Sequence, residues 1–195
     1  MPIVERMRTR IVTLTALAVL VLAACSGPAA EQPEPANDVL AAHGLDGTPV
    51  RDLIDDLDRT PLAERSAGFM ASVRPGELLI SDATTTEQVS LPIADGFYLS
   101  VAPYIDTTHE CYFHSLTTCK GELGGEEVRI IVTNAETGEV IVDEQTTTFD
   151  NGFIAVWLPR DISAMLRVEH DGLAAEAPIA TGPDDATCIT TLQLA

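Results

Sequence analysis

The sequence predicts an α+β fold: a small helix-plus-strand N-terminal unit followed by a predominantly antiparallel β C-terminal domain. Three observations predict it. A 3.6-residue apolar period is found in residues 38–60. From Phe69 onward the texture changes to short β-branched and aromatic runs set apart by turn residues. Beyond Gly96 these runs become denser, as in an antiparallel sandwich or barrel. The expected divisions are a signal peptide over 1–24, a tether over 25–37, a small α+β unit over 38–95 and a β-rich domain over 96–195.

In chain order, Arg6, Arg8 and Arg10 precede an uncharged, mostly apolar run from Ile11 to Leu22. That run has the length of a signal peptide rather than of a membrane span. Leu22-Ala23-Ala24-Cys25 then places small residues before a cysteine. The tetrapeptide resembles the bacterial lipobox, which implies diacylglycerol transfer to the Cys25 thiol and cleavage before it. A single acyl chain binds membranes only marginally, and the lipoprotein pathway supplies at least two. The expectation is an exported protein, lipid-anchored through Cys25 at the outer face of the cytoplasmic membrane. An ordinary secretory signal with an incidental cysteine is the alternative. Residues 26–37, rich in Pro, Ala and Glu, read as a tether.

Thr48 is the expected N-cap of a helix whose first residue is Pro49. Val50, Leu53, Ile54 and Leu57 then form one apolar stripe. Asp52, Asp55, Asp56 and Asp58 lie mostly off it and are expected on a solvated face. Asn37 or Asp38 is expected to cap a shorter helix ending near His43-Gly44, with His43 a helix-end residue. Phe69–Val73 and Glu77–Ser81 flank the turn Arg74-Pro75-Gly76, and 87–91 is expected to pair with them. Phe97–Val101 is a short apolar and aromatic run. Val128–Val132 and Val140–Asp143 read as a hairpin through Thr137-Gly138. Asp150-Asn151-Gly152 leads into Phe153–Leu158. Met165–Glu169 and Leu173–Ala177 flank His170-Asp171-Gly172, a second hairpin. Cys188–Leu194 is the expected final strand, with Cys188, Thr190, Leu192 and Leu194 on one face. Phe153 and Trp157 are expected in the core, and Tyr104 and Tyr112 half-buried.

Charge narrows the partners. The chain carries a net charge of −19. Without residues 1–24, which hold three Arg and one Glu, 8 basic and 29 acidic residues remain, a charge of −21. This argues against nucleic acid and anionic headgroups as partners. Cysteine counting narrows the chemistry. Four cysteines become three if Cys25 carries lipid. An odd number in an oxidising compartment calls for an explanation.

The segment from Thr107 to Cys119 supplies a candidate. His109, Cys111, His114 and Cys119 fall within eleven residues. Thiolate and imidazole are the soft and borderline donors that Cu(I) and Zn(II) accept. In an extended strand His109 and Cys111 would share a face, whereas Cys111 and His114 need a turn to converge. Cys119 needs a loop that folds back, and Cys188 must return on the last strand. A structural disulfide, Cys111–Cys119 or either with Cys188, is the competing reading. No paired C-x-x-C is present, and no P-loop, dinucleotide fingerprint or nucleophile elbow.

Several stretches together resemble the CueP-type periplasmic copper-binding proteins. They are Ser100 to Tyr104, His109 to Glu122, Asp150 to Phe153 with Trp157 to Arg160, and Thr187 to Leu194. The resemblance implies copper binding and copper tolerance, with Cys111, Cys119 and Cys188 as the functional thiols. It further implies thiol-dependent reduction of Cu(II), copper supply to an exported superoxide dismutase, and dimers. The lipobox is a departure from the family pattern. His109 and His114 are the candidate imidazole donors, and zinc is the alternative metal. Two thiols closing to a disulfide release two electrons, one turnover without a reductant, so the protein is not expected to be an enzyme. A thiol–disulfide exchange protein and a structural lipoprotein with one stabilising disulfide remain the other functions to weigh.

Overall fold

Two helices, α1 (Glu34–Ala42) and α2 (Val50–Arg59), open the computed structural model, which describes residues 34–84 and 88–195. The expected signal peptide and Cys25 lie outside the described residues. Helix α1 begins at Glu34, so Asn37 and Asp38 lie within it rather than at its N-cap position. It ends at Ala42, where His43 and Gly44 turn back on Leu40 and Ala41, and Gly44 takes the left-handed φ of 70° that suits glycine. Helix α2 starts one residue later than expected. Pro49 occupies the N-cap with extended backbone, and no side chain caps the helix. Its stripe behaves as the periodicity requires. Leu53 and Ile54 are buried, with Val50 and Leu57 packed beside them. A short 3-10 turn, Leu62–Glu64, follows.

Strands β1 (Phe69–Arg74), β2 (Glu77–Asp82) and β3 (Gln88–Pro92) form an antiparallel meander. Alternation along β1 places Phe69, Ala71 and Val73 inward. Those residues, both helices, Tyr98 and Leu116 make the first core. Each large apolar side chain buried there contributes about 1.5–3 kcal/mol before entropy is set against it.

Strand β4 (Phe97–Val101) is buried at all five positions. It pairs antiparallel with β7 (Ile154–Leu158). Tyr98 joins the first core, while Phe97, Leu99 and Val101 join a second. A strand sandwiched on both faces loses the polar alternation of a surface strand. The second core is covered by a four-stranded sheet, ordered β6 (Val140–Thr147), β5 (Glu127–Asn134), β8 (Ser163–His170), β9 (Leu173–Ala180). The β8–β9 hairpin turns through Asp171 and Gly172 at φ 52° and 82°, the paired positive values of a type I′ turn.

The end of the chain departs from expectation. Only Cys188–Ile189 is regular strand (β10), and it runs parallel to β4, with Cys188 opposite Ser100. The expected alternation persists beyond it. Cys188, Thr190, Leu192 and Leu194 are all buried. Burial rather than ladder hydrogen bonding holds that register. Among the described residues helices are few and antiparallel strands dominate, as the α+β reading predicts.

Candidate metal centre

The segment between β4 and β5 has no long regular element, so its backbone groups must be satisfied by neighbours. They are. His114 O accepts from the Val73 amide at 2.8 Å, and the Leu116 amide donates to Ala71 O at 2.9 Å, pinning the segment along β1. Tyr112 O accepts from the amides of Thr187 and Cys188 at 3.0 and 3.1 Å. The Thr187 hydroxyl donates to Val73 O at 2.7 Å and accepts from the His114 amide at 3.0 Å. Three chain regions are thereby stitched together around His114.

A turn then brings Cys119 back. Its amide donates to Ser115 O at 3.1 Å, and the Ser115 amide donates to Cys119 Sγ at 3.4 Å. Beyond it, Gly121 and Gly152 touch backbone to backbone. A Cβ on Gly152 would sit 2.7 Å from the Gly121 carbonyl carbon, and Gly152 has φ 80°. Only glycine meets both conditions.

The result is a cluster of four donors. The ligand atoms of Cys111, His114, Cys119 and Cys188 all lie within 4.8 Å of one another. Cys111 Sγ and Cys119 Sγ are 3.6 Å apart, and Cys188 Sγ is 3.7 Å from His114 Nδ1. The three cysteines are free, and a disulfide would need about 2.05 Å. A tetrahedral centre with metal–sulfur bonds of about 2.3 Å has sulfurs about 3.8 Å apart. The donor spacing fits such an ion. Ala102, Phe153 and Cys188 form the apolar wall, with Phe149 beside them.

Behind His114 stands Asp58, and both side chains have no exposed surface. His114 Nε2 donates to Asp58 Oδ1 at 2.9 Å. Asn151 Nδ2 donates to the same oxygen at 2.9 Å. Tyr98 and Ser100 hydroxyls donate to Oδ2 at 2.8 and 3.1 Å. Four donors saturate the carboxylate, the condition under which a buried charge is tolerated. Burial alone would raise the Asp58 pKa, but the His114 charge and these hydrogen bonds hold it below the usual carboxylate value. Burial likewise opposes charge on His114, yet Asp58 and the nearby thiols raise its pKa well above the ordinary value. With Nε2 committed to Asp58, Nδ1 is the nitrogen that faces the sulfurs. This is the carboxylate–histidine arrangement that orients metal ligands.

The thiols are coupled. Hydrogen bonds involving Cys111, then Cys188 and His114, pull the Cys119 thiol far below its ordinary value. Interactions with Cys111 and Cys119 push Cys188 far above it. One thiolate thus forms readily at Cys119, and the Cys188 thiol gives up its proton only when a cation compensates. Arg65 adds positive charge nearby. Its Nη1 donates to Cys119 O at 2.8 Å, and burial lowers its pKa against the opposing pull of Asp58 and Cys119.

Of the five residues expected to bind metal, the structure brings together Cys111, Cys119, Cys188 and His114. His109 stands outside that group, its ring centroid 6.3 Å from that of Phe153. The reading of the α2 carboxylates as a solvated face is corrected at Asp58, which is wholly buried. A signal was present: Asp58 lies eight residues after Val50 and so continues the apolar stripe. Asp55 is partly withdrawn too, accepting from Trp157 Nε1 at 3.0 Å. Asn151 read only as part of a turn. Tyr112 is 55% exposed rather than half-buried, and its hydroxyl donates to Asp184 O.

Three thiols and one oriented imidazole in a β-rich scaffold define a class, that of proteins able to hold a soft or borderline metal ion. Residues 52–193 match the family described as periplasmic copper-binding protein CueP, and the chain belongs to that family. The crystal structure of S.CueP is similar to it, with a TM-score of 0.77 and 39% sequence identity, covering 85% of this chain and 100% of that one. No curated protein matches the chain. Copper binding and export from the cytoplasm follow from the family. Among the described residues no helix is long and apolar enough to cross a membrane.

Proposed function

We propose that this protein captures copper outside the cytoplasm as Cu(I), held by Cys111, Cys119, Cys188 and His114 Nδ1, while tethered to the membrane by lipid on Cys25. One observation carries the site: four soft and borderline donors within 4.8 Å of one another, with no disulfide among them. Thiolates bind Cu(I) strongly and tend to reduce Cu(II). In the proposed reduction, Cys111 and Cys119 close to a disulfide, two Cu(II) take one electron each, the thiol protons leave to solvent, and Cys188 and His114 hold one Cu(I) while the other is released, until an external thiol restores the full donor set. Further turnovers need an external thiol reductant, so the protein acts stoichiometrically rather than as an enzyme. The role is copper tolerance or delivery of copper to an exported client enzyme. Self-association as a dimer is part of the same reading, and sizing of the reduced protein tests it.

The site is tested by competition for Cu(I) against a chromogenic chelator. Reduced wild type is expected to strip the chelator at one copper per chain. The triple variant Cys111→Ser, Cys119→Ser, Cys188→Ser is expected to lose that binding. Equal binding by the triple variant would remove the proposed site. A parallel competition with zinc decides the alternative metal, since three cysteines and a histidine also make a zinc shell.

A further inference from the structure

The four-donor group leaves one imidazole of the segment without a task. His109 is half-buried, and its Nε2 has no hydrogen-bond partner and almost no accessible surface. A buried nitrogen left without a partner loses its hydration and gains nothing in return. Its ring and that of His114 pack against the same Phe153, with centroids 6.3 and 4.5 Å away.

Beside it lies a cavity of about 480 Å³, lined by Thr107, Thr108, His109, Cys119 and Lys120 among others. Cys119 is common to the cavity wall and the four-donor group. Cys188 and His114 are buried and do not line the cavity. A ligand arriving through this opening meets Cys119 first among the sulfurs of the centre, and His109 is the imidazole on the same wall.

We infer that His109 and Cys119 form a loading subsite, where an incoming Cu(I) is held by one imidazole and one thiolate before it passes to the four-donor group. This rests on the function proposed above and deepens it. No electron moves in the transfer. Bonds from copper to His109 and to Cys119 Sγ form as the donor of a small-molecule carrier leaves. Bonds to Cys111, Cys188 and His114 Nδ1 then form as the bond to His109 breaks, and the displaced protons of the thiols and of His114 Nδ1 go to solvent. Cys119 keeps its hold throughout, so the ion is never free. Imidazole is the softer sulfur's weaker competitor for Cu(I), which lets His109 release it.

Rapid mixing of the reduced, metal-free protein with a chromogenic Cu(I) chelate tests this. His109→Ala and His109→Gln are compared with wild type, and thermal melts confirm folding of each. Loading and its reverse, release to excess chelator, are both expected to slow by about tenfold, so that their ratio moves much less than either rate. Unchanged loading in both variants would overturn the subsite. A loss of affinity carried by faster release would also overturn it, because His109 would then be a resident ligand. Failure of the four-donor reading looks different: wild type would not take up Cu(I), or Cys188→Ser would bind as tightly as wild type.

Discussion

Asp58 shows how much a single buried carboxylate organises here. It is tied to His114 across 56 residues of sequence and to Asn151 across 93. Its removal would strand His114 inside the protein. Asp58→Ala is expected to cost about 3–5 kcal/mol of stability, the usual penalty for breaking a buried pair. Chemical denaturation measures it, and a loss below 1 kcal/mol would show that His114 finds another partner. Asp58→Asn keeps the shape and most hydrogen bonds but removes the charge. Cu(I) affinity is then expected to fall by about 10- to 100-fold, the range typical for residues that orient metal ligands. Nitrogen NMR of His114 gives an independent reading, because the proton on Nε2 should become less firmly fixed. Metal uptake should also release protons, since thiols become thiolates. Affinity for Cu(I) is expected to rise with pH, and a flat pH series would contradict ligation by cysteine.

Among the elements, the loops carry the centre and the strands hold the loops. The contact between Gly121 and Gly152 fixes the chain two residues beyond Cys119. Gly152→Ala forces a side chain into φ 80° and into the Gly121 backbone. A loss of about 1–3 kcal/mol is expected from the backbone conformation alone. Weaker Cu(I) binding should accompany it, and unaltered affinity would show that this contact does not position Cys119. Helix α1 is tied to the first sheet by a different device, the hydrogen bond between His43 Nε2 and Asp82 Oδ2. Hydrogen bonds from Thr84 and then His43 hold the Asp82 carboxyl down at about 2. A depressed carboxylate stabilises the fold above its unfolded pKa of about 3.9, and that stability is lost as pH falls toward 2. In His43→Ala the Asp82 titration followed by NMR is expected to move upward. Titration unchanged from wild type would show that His43 has no part in the depression.

At the scale of the whole molecule, the proposed tether and the copper centre are expected to act independently. The described residues contain the full donor group and its supporting carboxylate. Cys25→Ala is therefore expected to shift the protein from the membrane fraction to the soluble one while Cu(I) affinity stays at the wild-type level. Retention in the membrane fraction would contradict lipid anchoring at Cys25. A chain that no longer folded would contradict the independence of tether and domain.

What could be read from the sequence was local. Strands such as Phe97–Val101 and the hairpin turn at Asp171-Gly172 depend on near neighbours, so their positions were legible from residue type and spacing. The donor inventory was legible for the same reason, as thiols and imidazoles are chemistry that a residue carries by itself. Metal chemistry, copper above all once the family resemblance was included, was thus within reach of the sequence alone. Only the tertiary structure decided which imidazole joins the sulfurs, that β10 runs parallel to β4, and that Asp58 is buried rather than solvated. Those outcomes depend on burial and on distances between segments far apart in the chain, where no local period or propensity operates. His114 was chosen over His109 because β1, Thr187 and Asp58 converge on it from three distant parts of the sequence.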